Sequence, residues 1–121
     1  MKRIFPVALT LAVVLHASSS FAQTGQTPPA PSIDHADVFL GECQKPENLD
    51  ACTMYLAGYT NGVLVQSLVD KQPARYCIPQ NVTRKEQLGA ITAWMKGHLN
   101  DVLQPTAAVI YKALIAAYPC K

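Results

Sequence analysis

A chain of 121 residues with 10 basic and 8 acidic side chains carries a net charge of +2, and this near-balance excludes the basic stripe that nucleic-acid binding demands. Lys2 and Arg3 account for the whole excess. The length suits one domain and not two.

The chain opens on a segment with its own logic. The basic pair Lys2 and Arg3 precedes an apolar run from Phe5 to Leu15, and small residues then flank Phe21. This is the three-part layout of a secretory signal peptide, predicted over residues 1–22 with cleavage after Ala22. The run is too short for a membrane span, which needs about 20 apolar residues. No cysteine follows the cut to carry a lipid anchor. Residues 23–32, "QTGQTPPAPS", form a proline-rich flexible tail that joins no core. The predicted domain is 33–121, exported and soluble.

From Ile33 the pattern is helical. Ser32 or Asp34 can cap a short first helix carrying Ile33, Ala36, Val38, Phe39 and Leu40 and ending near Gly41. A polar connection holding Pro46 leads to a second helix, predicted from Ala51 to about Val69 with Asp50 as its cap. Cys52, Tyr55, Leu56, Tyr59 and Val63 recur on one face. Asn61-Gly62 could mark a turn, but breaking there leaves two apolar stubs, so the helix is expected to run through. Gly58 and Gly62 would then make a smooth patch for a closely approaching backbone, offsetting about 1 kcal/mol of lost propensity per glycine. Residues 70–81 are a long connection with two prolines. Thr83 and Glu86 spell a capping box for the third helix, with a stripe of Leu88, Ile91, Met95, Leu99 and Val102 and Trp94 beside it. The fourth begins at Pro105, a favoured first-turn position, carries Ala107, Ile110, Tyr111, Leu114 and Tyr118, and stops at Pro119. No strand alternation occurs. The fold class is all-α, a small bundle of four helices.

Four cysteines in a short exported chain predict a disulfide framework. Zinc is disfavoured, because no two cysteines stand closer than nine residues and His35 and His98 lack ligand spacing. Helix direction chooses the pairing. Short connections make neighbouring helices antiparallel, which puts Cys43 beside Cys52 at one end and Cys77 beside Cys120 at the other. The alternatives would cross the bundle's length, beyond the roughly 4.4–6.8 Å that a disulfide spans.

Catalytic machinery is sparse. No nucleophile elbow, phosphate loop or zinc-protease motif occurs. Ser67 falls mid-helix without an obvious base. Asp34 and Asp37 suit a solvated face, and Asn81 leads into the Thr83 cap. His98 suits a helix C-terminus, and Trp94 a core. No enzyme, cofactor or metal is therefore expected. The connection is the more promising surface. Arg75 and Tyr76, with Asp70 and Lys71 before them, sit in a proline-bounded loop next to Cys77. A rigid loop of that kind loses little entropy on docking a protein.

Three stretches in order, "CTMYLAGYTNGV" (52–63), "YCIPQNVTRKEQL" (76–88) and "QPTAAVIYKALIAAYPC" (104–120), resemble the Rap/Tai family of periplasmic immunity proteins. The likeness extends over most of residues 36–120. It implies a disulfide-bonded helical protein that blocks a peptidoglycan amidase of type VI secretion, and for many members a homodimer. It transfers no inhibitory contacts residue by residue. Two other classes fit the bare residues: a periplasmic acid-stress chaperone, against which only eight acidic residues argue, and a lipid-binding helical module, which should carry more disulfides.

Overall fold

A computed structural model describes residues 31–121, which form four α-helices and one turn of 3-10 helix. The predicted signal segment and nearly all of the proline-rich tail lie outside the described residues. The helices are α1 (Ala36–Glu42), α2 (Leu49–Asp70), α3 (Arg84–Gly97) and α4 (Thr106–Ala117). The 3-10 turn, Pro46–Asn48, falls where the sequence suggested only a polar connection.

One core joins all four helices. Ala36, Phe39 and Leu40 come from α1, Cys52 and Leu56 from α2, Leu88, Ile91 and Met95 from α3, and Val109, Ile110, Ala113 and Leu114 from α4. The i, i+3 and i+4 spacing of these residues aligns each set along one helix face. In the order of packing, α3 lies between α2 and α4, while α1 covers α4.

The helix ends follow local chemistry, with some departures from the expected bounds. Neither Ser32 nor Asp34 caps α1. Its N-cap is His35, which makes no side-chain cap bond, because the Ser32 hydroxyl is engaged in a turn with Asp34. The Asp50 cap is likewise displaced, since α2 already begins at Leu49. That helix runs unbroken through Asn61-Gly62. The Gly58–Gly62 patch meets no neighbouring backbone, however. A Cβ at either position would touch nothing within 4 Å. The Thr83 capping box is complete: the Thr83 hydroxyl accepts from the Glu86 N–H at 3.2 Å, and the Glu86 carboxylate accepts from the Thr83 N–H at 2.7 Å.

The predicted stripe of α3 is two residues too long. The helix ends at Gly97, where His98 caps it and stacks its ring on Trp94 at 3.9 Å. Leu99 is consequently exposed, whereas Val102 reaches the core from the following turn. Pro105 is the N-cap of α4 and not its first residue, and Ala107 faces solvent while Val109 and Ala113 fill the core.

Both ends of α4 are tied to the rest of the chain. At its start, Thr106 donates its N–H to the Asp34 carbonyl (2.7 Å) and its hydroxyl to the Ile33 carbonyl (2.6 Å). At its end, the Cys77 N–H donates to the Tyr118 carbonyl (2.8 Å). The disulfide Cys77–Cys120 lies beside that bond, with its Cα atoms 4.9 Å apart. A second disulfide, Cys43–Cys52, joins the end of α1 to the start of α2 across 5.8 Å.

Candidate functional site

The connection between α2 and α3 is built by several local constraints. Lys71 ends α2 in the left-handed region at φ 55°, a conformation disfavoured for a residue with a Cβ. The chain then turns sharply, and the Gln72 N–H closes the helix end on the Ser67 carbonyl. At Tyr76 the chain forms an isolated antiparallel bridge with Pro119. The Tyr76 ring packs edge-on against Tyr111 at 5.7 Å, and the Arg75 N–H donates to the Tyr111 hydroxyl at 3.3 Å. One edge of the connection is thus fastened to α4.

Its other edge stands away from α2. A groove of about 670 Å³ lies between them. Leu64 and Leu68 of α2 form one apolar wall, and Pro73, Ile78, Pro79 and Val82 form the other. Thr60, Arg84 and Gln87 also line it, as does Lys71 at the α2 terminus. Arg84 donates from Nη1 to the Thr60 hydroxyl (2.6 Å) and to Gln87 Oε1 (3.0 Å).

The four residues proposed from the sequence separate in space. Lys71 and Tyr76 share the main groove. Asp70 lines a smaller cavity of about 310 Å³ with Tyr111, and it accepts a 2.8 Å hydrogen bond from Gln66. Arg75 is exposed and lines neither. Tyr76 is half-buried, so only part of its ring is open to a partner. Burial raises its hydroxyl pKa, Tyr111 adds to this, and Arg84 opposes it. Tyr59 is pushed up strongly in the same way, by burial first and then by Tyr76 and Tyr111. These phenols are therefore hydrogen-bond donors at neutral pH.

Sequence reasoning missed Arg84, Leu64 and Leu68. Both leucines are exposed although they lie on a helix that also supplies core residues. From Ala51 to Val69 that helix contains no charged residue, a signal that its outer surface is apolar as well. Met54, Val65 and Val69 continue this exposed apolar surface around α2.

The Ser67 hydroxyl is taken by the Val63 carbonyl of its own helix (2.8 Å). All four cysteines are in disulfides. Among the described residues there is no group of three or more His, Cys, Asp or Glu able to hold a metal ion. None of their helices is long and apolar enough to cross a membrane.

The family model that matches this chain is described as Rap1a immunity proteins, and the match runs over residues 35–120, well over half of the chain. No curated protein and no solved structure matches it.

Proposed function

Since the chain belongs to the Rap1a immunity protein family, we propose that it binds and neutralises a peptidoglycan amidase, an effector of type VI secretion, in the periplasm. The family match over residues 35–120 carries this reading. The amidase and the secretion system come from the likeness of the 52–63, 76–88 and 104–120 stretches to periplasmic immunity proteins. Two disulfides in so short a chain suit an oxidising compartment, and residues 1–22 would be the export signal. The protein acts by occupying a surface of its effector and not by catalysis, and it needs no cofactor.

The effector-binding face in this reading is the fastened connection, with Asp70, Lys71, Arg75 and Tyr76 as its contacts. Disulfide and hydrogen bonds hold that connection before docking, so little order remains to be gained. A homodimer would use the adjoining outer side of α2. The uncharged stripe of Met54, Val65 and Val69, with Gly58 and Gly62 between them, lets two copies of the helix approach without repulsion. Sedimentation of the wild type beside Val65→Glu checks this: a dimer that the substitution turns into a monomer is expected.

The test of function is protection. Candidate amidases are exported to the periplasm of a sensitive bacterium, with and without the full chain. Suppressed lysis and a stoichiometric complex with one amidase are expected. Absence of both, together with suppression of client aggregation in acid, would instead favour an acid-stress chaperone.

A further inference from the structure

The groove beside α2 has an uneven electrostatic make-up. Its lining includes Lys71 and Arg84 but no aspartate or glutamate. The ion pairs among the described residues are Lys45–Glu42 and Lys112–Asp101, so neither groove cation has a carboxylate partner there. The walls around them are apolar and open, with Leu64 58% and Leu68 71% exposed.

Arg84 is held in place for an incoming group. Both of its acceptors are themselves oriented by backbone. The Thr60 hydroxyl donates to the Leu56 carbonyl at 3.0 Å, and Gln87 Nε2 donates to the Val82 carbonyl at 3.2 Å. Thr60 and Gln87 are buried. Each therefore turns an oxygen lone pair towards Arg84 Nη1, and these two bonds fix the plane of the guanidinium. Among the described residues, the Arg84 side chain donates only through Nη1, and none accepts from Nε or Nη2. Two parallel N–H groups on a fixed plane match the geometry of a carboxylate.

We infer that this groove takes an apolar polypeptide segment bearing a carboxylate, with the carboxylate on Arg84 and the flanking apolar side chains between Leu64, Leu68 and Ile78. The volume of about 670 Å³ accommodates a few side chains. The chain's own residues 23–32 contain no acidic side chain, so they offer Arg84 no partner. The segment belongs to the effector, a source that rests on the immunity reading above. Arg84 thus adds a specificity-determining contact to the face formed by the connection.

The experiment uses random linear peptides displayed on phage, selected on the mature chain with both disulfides closed. Selected peptides are resynthesised and titrated against wild type, Arg84→Gln, Arg84→Lys and Leu64→Glu, each checked by thermal melting. Leu64 is exposed, so its substitution leaves the core untouched. Selected peptides should share an Asp or Glu beside apolar residues. Converting that acid to its amide should weaken binding roughly tenfold or more, the scale of a charged hydrogen bond. Arg84→Gln should match that loss, Arg84→Lys should recover only part of it, and Leu64→Glu should abolish binding. Failure to select any peptide, selection of acid-free peptides, or equal affinity for all variants overturns the inference. So does a wild-type dimer that Leu64→Glu separates, since a second copy would then fill the groove. The effector reading stays separable: amidase protection that survives both Arg84→Gln and Leu64→Glu removes the groove and keeps immunity, whereas peptide selection without protection does the reverse.

Discussion

Replacing Cys77 and Cys120 together by alanine should be the most damaging change that leaves the core untouched. Their sulfurs link positions 43 residues apart in sequence. Loop-closure entropy puts the stabilisation from a link of that span at about 4 kcal/mol. Both residues are exposed, so truncation opens no cavity and the loop term should dominate the loss. The shorter link differs. Cys43–Cys52 closes a span of 9 residues, worth about 2.7 kcal/mol, but Cys43 and Cys52 are buried at 4% and 1% exposure and their truncation adds a packing cost. A domain of this size has only about 5–10 kcal/mol to lose. Urea unfolding followed by circular dichroism checks the figure. With a slope of about 2 kcal/mol per molar, the midpoint of the Cys77→Ala, Cys120→Ala chain should fall by about 2 M. A loss below about 1 kcal/mol at unchanged slope would refute the loop-closure reasoning for this fold.

Three further outcomes are expected. In the monomer, held with Val65→Glu if the chain dimerises, Gly58→Ala and Gly62→Ala should each raise stability by about 0.4–1 kcal/mol, since the new methyl meets nothing within 4 Å of the same chain and the unfolded chain loses freedom; an unchanged or lowered melting temperature would count against the open placement of these glycines. Thr83→Ala should cost about 1 kcal/mol at neutral pH. The Glu86 carboxyl titrates below its ordinary range because the Thr83 N–H and then its hydroxyl donate to the carboxylate. That contribution is complete above the unfolded-state pKa and disappears as pH falls through the folded one; alanine keeps the N–H donation and loses only the hydroxyl's, so the gap between wild type and Thr83→Ala should narrow in part in acid denaturation series, and a gap independent of pH would contradict this. Limiting reductant should open the exposed Cys77–Cys120 before the buried Cys43–Cys52, as alkylation and mass mapping of the partly reduced protein would reveal.

Much of the scaffold could be read directly from local chemistry. Leu88, Ile91 and Met95 announce a helix face by spacing alone, and Thr83 with Glu86 marks where it starts. The antiparallel order of the helices then says which cysteines can meet. Where local rules compete, the reading failed. The spacing of Leu99 continues the α3 stripe, but His98 stacks on Trp94 and ends the helix before it. Gly58 and Gly62 looked like a contact because helix interiors discourage glycine, yet nothing in the fold approaches them. The groove was harder still. It exists because a segment pinned to α4 stands off from α2, a long-range relation that no short motif encodes. Arg84 did leave one trace. It occupies the first position of α3, where the helix dipole disfavours a cation, and a residue placed against its local preference is one whose partner should be sought elsewhere.

The placement of the cysteines also bears on how the oxidised chain is made. A polypeptide emerges from its N-terminus, so Cys43 and Cys52 appear first, separated by 9 residues, with Cys77 still to come. Nearby thiols meet more often than distant ones, so pairing of Cys43 with Cys52 is favoured before Cys77 appears. Cys77 then awaits Cys120, 43 residues further on. If oxidation keeps pace with the chain's appearance, consecutive pairing favours the native bonds, and the groove wall is fastened only once Cys120 has emerged.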